Sequence, residues 1–377
     1  MKKRSVLLLV LALCVLLCGC DGWRAGSFVS ITPHTEVYSQ AKPEQTENAD
    51  SYDQMIALLV QFVQNRTEQA TVDVSRYKGE LEKHLPRIIH QVKSTDPLTA
   101  YAVREITVDI AEVGVRRMAS VQIQYSRSAY QMQNIESAWG AVGIENKVHT
   151  ALSQAQTSLT LQVKGYEEVN LTEIVSRYYE TNLDTVMECP TVTHTAYPNY
   201  GSTRILDISF HYTLPRQSLL DMAGEVKLML SSASGYVRGQ DTELAKAERL
   251  NSFLRPLFTE TGTSPTPVYS LLYQGIGDSH SIATVFGLLC EEVGLTCQVV
   301  SGTKNGEVYY WNILRLDGVP CHADLQESWQ SGKLILRYDE DMDDYQWNKE
   351  LYLPCPKPVI PATDPTEAPE ATEAAEP

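Results

Sequence analysis

Residues 275–283 read Gly275-Ile276-Gly277-Asp278-Ser279-His280-Ser281-Ile282-Ala283. From Ser279 onward Ile282, Val285, Phe286, Leu289 and Val293 recur at helical spacing on one face, and Gly294 is well placed to end the helix. The period then changes. Thr296 to Ser301 reads as a strand, Asn305-Gly306 as a hairpin turn, and Glu307 to Leu316 as the returning strand. Asp317-Gly318 makes a second turn, and Val319 to Leu325 completes a meander. Upstream, Leu244, Ala247, Leu250, Phe253 and Leu254 mark another helix, which Asp241 or Thr242 would cap. Helices beside an antiparallel sheet make the fold class α+β.

Four further blocks follow that helix start in order. They are Gly294-Leu295-Thr296-Cys297-Gln298-Val299-Val300-Ser301-Gly302, then Tyr309-Tyr310-Trp311-Asn312-Ile313-Leu314-Arg315-Leu316-Asp317-Gly318, then Cys321-His322-Ala323-Asp324. The last is Tyr345-Gln346-Trp347-Asn348 with Tyr352-Leu353-Pro354-Cys355. Together they resemble the bacterial transglutaminase-like family of the papain-like superfamily. Its patterns are G-x-G-x-C-x-G-Y-A, G-[ILV]-x-C-x-x-V-x-G, H-A-W-N-x-[VI]-x-[LV]-D-G and Y-H-V-D. The resemblance covers about the last third of the folded chain and implies a papain-like domain over residues 236–355.

The departures carry as much information as the match. Active members of the family use a cysteine nucleophile, a histidine that takes its proton and an aspartate that orients the histidine. Carried over residue by residue, these positions hold Ser279, Tyr309 and Asp324. A serine hydroxyl gains little from a helix dipole and needs a base in hydrogen-bond reach. A tyrosine, with an ordinary pKa of about 10, is a poor base. The resemblance therefore implies a domain without the family's amide chemistry: a pseudoenzyme that binds or scaffolds a peptide, cell-wall or surface-protein ligand. The alternative is a rebuilt hydrolase or acyl transferase. His322 and Asp324 alternate by two on a strand and share a face, so Ser279, His322 and Asp324 could form a triad. His280 adjoins Ser279, but successive side chains on a helix point apart. Cys321 is a poorer nucleophile candidate because it sits mid-strand. Trp311 and Asn312 either shape a cleft or pack in the core, and Tyr309 and Tyr310 would put aromatic faces where the imidazole stood.

Ahead of this domain lie two stretches of the same pattern. In the first, residues 51–140, the strand-like Thr71-Val72-Asp73-Val74 precedes a helix with Leu81, Leu85, Ile88, Ile89 and Val92, distorted at Pro86. Two strands follow, the second alternating Val121, Ile123 and Tyr125 with polar residues. In the second, residues 141–235, Leu159-Thr160-Leu161-Gln162-Val163 precedes a helix with Leu171, Ile174, Val175 and Tyr178. Its last strand alternates Leu206, Ile208, Phe210 and Tyr212 with polar residues. Both read β-α-β-β, which predicts an internal duplication of small α+β modules. A helix from about Arg216 to Ser234 leads out of the second.

Both ends have separate meanings. Lys2, Lys3 and Arg4 precede an apolar run from Val6 to Leu17, too short to span a bilayer and fitting a secretory signal. Leu17-Cys18-Gly19-Cys20 resembles the bacterial lipobox. The expectation is a signal peptide over residues 1–19, lipid on Cys20, attachment to the outer face of the cell membrane, and a flexible spacer over residues 20–50. Each buried acyl methylene contributes ~0.8 kcal/mol to anchoring. Residues 356–377 are mostly Pro, Ala, Thr and Glu and read as a disordered acidic tail.

The net charge of −16 argues against nucleic acid as a partner. Beyond the anchor are Cys189, Cys290, Cys297, Cys321 and Cys355, an odd number with no zinc-type spacing. No metal or cofactor is expected.

Overall fold

A computed structural model describes residues 47–239 and 241–358. The signal, Cys20, most of the spacer and nearly all of the tail lie outside the described residues. Among the described residues no helix is long and apolar enough to cross a membrane.

The first four-stranded sheet has the order β1-β2-β4-β3, with β1 (Glu47–Asn48), β2 (Gln69–Asp73), β3 (Val103–Val113) and β4 (Arg116–Tyr125). Helices α1 (Tyr52–Gln64) and α2 (Leu81–Thr95) cover one face, burying Met55, Leu59 and Ile88 against Val72, Ala119 and Val121. Ser51 caps α1 by accepting from the Gln54 amide at 3.3 Å. Helix α2 runs through Pro86. A short helix, α3 (Pro97–Ala102), leads into β3.

The second sheet repeats this order as β5-β6-β8-β7, with β5 (Glu136–Trp139), β6 (Ser158–Lys164), β7 (Thr191–Tyr197) and β8 (Thr203–His211). In each sheet the first two strands run parallel and the remaining pairs antiparallel. Between β4 and β5 lies α4 (Ala129–Gln133); α5 (Gly140–Ser153) and α6 (Leu171–Thr181) cover one face of the second sheet. Each unit is therefore β-α-β-α-β-β, one β-α longer at its start than its hydrophobic pattern indicates. The added strands are two and four residues long, too short to display a period. Glu47–Asn48, expected in the spacer, thus join the first sheet. Glu136–Trp139, expected in the first module, pair with β6 of the second.

Helix α7 (Arg216–Ala233) packs into the third core rather than the second. Its Leu219, Val226, Leu230 and Ala233 join Ala247 and Leu250 of α8 (Glu243–Leu254), which Thr242 caps. Two short strands, β9 (Glu260–Thr261) and β10 (Ile276–Gly277), pair in parallel beside the start of helix α9 (Ser279–Glu292). At the turn before β10, Gly275 has φ +74°, and any Cβ there would run into Thr259 and the Leu257 carbonyl.

The last sheet has the order β14-β13-β12-β11-β15. Its strands are β11 (Thr296–Lys304), β12 (Glu307–Leu316), β13 (Val319–Ala323), β14 (Leu336–Arg337) and β15 (Tyr345–Trp347). Strand β13 stops at Ala323, two residues short of expectation, because Asp324 instead caps helix α10 (Leu325–Ser331) through the Glu327 amide at 3.0 Å.

Candidate functional site

Alternation along β12 sorts the motif residues onto two faces. Tyr310, Asn312 and Leu314 face α9. Tyr309, Trp311 and Ile313 face a second, smaller core with Val300, Met342, Tyr345 and Cys355. Tyr309 and Tyr310, expected to share one cleft, are thus on opposite sides of the sheet.

Ser279 is the first residue of α9, and Asp278 caps that helix by accepting from the Ser281 amide at 2.9 Å. The Ser279 hydroxyl accepts from the Tyr310 amide at 3.3 Å. Beside it the His280 and Tyr310 rings lie 4.4 Å apart. His280 lines a cavity of about 350 Å³ with Thr284, Cys297 and Val299 of this domain and Glu180 and Leu183 of the second module.

Asp324 is buried and its carboxylate is crowded with donors. Tyr309 Oη donates to it at 3.0 Å, Tyr345 Oη at 2.7 Å, and Lys304 Nζ at 2.8 Å. The capping bond from the Glu327 amide completes four donors on two oxygens. Lys304 also reaches Glu327 Oε2 at 3.3 Å and stands over the Tyr309 and Tyr345 rings at 5.0 and 4.8 Å. Arg337 closes the group with two hydrogen bonds to the Glu327 carboxylate, one at 2.7 Å. Burial, then the Asp324 charge, drives the Tyr309 phenol far above its ordinary pKa. Burial and the bond to Asp324 do the same to Tyr345. Both stay protonated and act as donors, which leaves Tyr309 without the basicity of an imidazole. For Glu327 burial opposes ionisation, but Arg337 and Lys304 together hold its carboxyl below the usual range.

Lys304, Tyr345, Glu327 and Arg337 were not singled out from the sequence. Tyr345 lies in the closing motif block, but nothing local ties Lys304, at the end of a strand, to an aspartate twenty residues on.

Trp311, Asn312 and His322, candidates for cleft walls, are all buried. Trp311 is core: it packs on Tyr345 and Trp347 with ring centroids 5.1 and 5.7 Å apart. Gly302 makes room for it, since a Cβ there would lie 2.7 Å from the indole and collide with the Gln346 carbonyl. Asn312 ties the sheet to the helix, donating to the Ala283 carbonyl at 2.9 Å and to Cys297 Sγ at 3.3 Å.

His322 has both ring nitrogens committed. Trp311 Nε1–H donates to His322 Nδ1 at 2.9 Å. An indole N–H can only donate, so Nδ1 carries no proton and the neutral ring has its hydrogen on Nε2. That hydrogen points to Asp339 Oδ1 at 3.0 Å. Burial holds the imidazole below its ordinary pKa, with Asp339 pulling it back in part. Among the described residues no hydrogen bond joins His322 to Ser279. The alternative Ser279–His322–Asp324 triad is therefore not assembled: the histidine faces a tryptophan and a different aspartate, and Asp324 faces two tyrosines and a lysine.

His322, Asp339 and Cys355 bring three ligand-type atoms within 4.8 Å of one another. The donor chemistry does not fit a metal. The Nε2 proton fixed by Trp311 stands where the ion would bind, and burial pushes the Cys355 thiol up to about 12. Burial likewise lifts Cys321 to about 11, the reverse of an activated nucleophile. All five cysteines outside the signal region are free thiols.

A helix N-terminus seated against an antiparallel sheet, with its serine bonded to the backbone of β12, is the layout of a papain-like domain. More narrowly it is a transglutaminase-like domain: residues 231–347 match the family model of the transglutaminase-like superfamily. Solved structures similar to the chain include a crystal structure of a TGase, 8% identical, with a TM-score of 0.27 over 61% of this chain and 69% of that one. Another is a protein from Parabacteroides distasonis provisionally designated a protease, 7% identical, with a TM-score of 0.22 over 67% of this chain. The chain spans 39% of the length of that second protein. No curated protein sequence matches.

Proposed function

We propose that the chain is a lipoprotein held on the outer face of the cell membrane through Cys20, and that its transglutaminase-like domain is a catalytically inactive binding or scaffold module. The anchoring part rests on the lipobox resemblance. The observation that carries the rest is the state of Asp324. The carboxylate that would orient a catalytic histidine instead accepts from Tyr309, Tyr345 and Lys304. Ser279 then has a backbone amide, not a base, as its partner. The members of such a triad act as a unit, and losing one member costs most of the rate.

The ligand class is a peptide, a cell-wall fragment or a surface protein. The cavity beside His280 offers it apolar walls from Leu183, Leu288 and Val299 and carboxylates from Glu180 and Glu291. The test is turnover. The full chain is incubated with p-nitrophenyl acetate and, separately, with a glutamine-containing casein and dansylcadaverine. The expected rates equal those of Ser279→Ala. Hydrolysis or amine incorporation that disappears in Ser279→Ala would establish an enzyme and end the binding-module reading.

A further inference from the structure

Outside the transglutaminase-like domain, the second sheet carries a cleft of about 450 Å³ on the face its helices leave open. We propose that this cleft binds an uncharged oligosaccharide. Its floor is a rigid grid. Ser158 and Thr160 on β6 stand directly opposite Ser209 and Asp207 on β8. Residues opposed across two strands have Cβ atoms about 5 Å apart, and alternate residues along a strand are roughly 6.8 Å apart. That spacing suits hydroxyls distributed around a pyranose ring. The first module supplies the wall through Arg127, Asn134 and Tyr130, the last of them 75% exposed on α4. An exposed phenol beside a hydroxylated floor provides a flat apolar surface for the C–H face of a sugar.

Charge decides which ligand fits. Three charged side chains line the cleft, and each already has its counter-ion. Arg127 Nη2 meets Asp207 Oδ2 at 2.9 Å and stacks over the Tyr101 ring at 4.6 Å; Glu136 Oε2 meets Lys147 Nζ at 2.6 Å. Thr160 Oγ1 donates to the second Asp207 oxygen at 3.0 Å, which fixes the carboxylate in place. A phosphate, carboxylate or amine entering here would leave water without gaining an unpaired partner. What remains for a ligand are the facing hydroxyls of Ser158 and Ser209, Asn134 Oδ1 and Gln131 Nε2, whose other amide atoms bond the Tyr130 carbonyl and Ser128, and the Tyr130 side chain. These are uncharged donors and acceptors in a chain whose net charge is −16.

The experiment is isothermal titration of the full chain with chitotetraose, cellotetraose and, as the anionic counterpart, tetragalacturonate. The expected result is binding of one or both neutral sugars with Kd on the order of 0.1–1 mM and none of tetragalacturonate. Which neutral sugar binds reports whether acetamido groups are read. Tyr130→Ala and the double variant Ser158→Ala/Ser209→Ala should each weaken binding at least ten-fold; their thermal unfolding is recorded alongside. Should the double variant fail to fold, Tyr130→Ala, at an exposed position, carries the test. Binding of none of the neutral sugars at about 10 mM, equal binding of the anionic one, or unchanged affinity in Tyr130→Ala would overturn the assignment.

Discussion

Replacing Asp324 by alanine separates a carboxylate kept for chemistry from one spent on structure. The substitution removes the cap of α10, worth about 1 kcal/mol. It strips Lys304, whose side chain is 21% exposed, of its nearer counter-ion at 2.8 Å. Removing one member of a fully buried pair costs about 3–5 kcal/mol. Lys304 keeps Glu327 at 3.3 Å and some water, so roughly half of that applies here. Two phenols, Tyr309 and Tyr345, also lose an acceptor at about 1 kcal/mol each. The total is about 4.5–5.5 kcal/mol, a fall in Tm on the order of 10 °C for a protein of this size. Asp324→Asn keeps a side-chain oxygen for the cap and the phenols and should cost about 1–2 kcal/mol. Urea unfolding followed by tryptophan fluorescence reads both, because Trp311 and Trp347 lie in the core next to Tyr345. A loss below about 1 kcal/mol for Asp324→Ala would refute the claim that this carboxylate is saturated by structural partners.

Three more outcomes follow from the same geometry. A thiol placed at the helix start by Ser279→Cys should be alkylated by iodoacetamide at pH 6 at the same rate with or without Tyr309→Phe, because Tyr309 faces the small core on the other side of the sheet; a changed rate would mean that position 309 reaches position 279. Gly302→Ala should destabilise the domain by about 3 kcal/mol in urea, since the new Cβ meets the Trp311 ring and the Gln346 carbonyl, and a variant of normal stability would contradict that packing. Because burial lowers the folded-state pKa of His322, the unfolded chain binds more protons near neutrality, so its contribution is present above about pH 6.5 and is lost as the pH falls toward the folded value. His322→Gln should flatten the dependence of urea stability between pH 7.5 and 5.5, and an unchanged slope would remove His322 as its source.

Much of the transglutaminase-like domain was legible because its signals are local. The helix starting at Ser279 follows from apolar spacing and the glycine that ends it, Gly294. The turns at Asn305-Gly306 and Asp317-Gly318 have positive φ at both residues, +53° and +84°, then +50° and +84°, the conformation for which asparagine, aspartate and glycine are suited. The order of motif blocks along the chain pointed to Ser279, Tyr309 and Asp324 as equivalent positions. Sequence also carried the period-2 and period-3.6 patterns of the two upstream sheets, but not their short first strands, which hold only two and four residues.

Tertiary structure alone decided what each side chain faces. Two residues apart on one strand suggested that His322 and Asp324 act together, yet His322 turns to Trp311 and Asp339 while Asp324 turns to Tyr309, Tyr345 and Lys304. Trp311 and Asn312 sit one residue apart and serve opposite faces of the sheet, one filling the small core and the other holding α9. Helix α7 follows the second module in sequence but buries Val226 and Leu230 in the third core. Periodicity fixes which residues share a face because it depends on backbone geometry within a few residues. The partner across that face comes from 10 to 80 residues away, and it is chosen by packing and by the need of every buried donor and acceptor to be met.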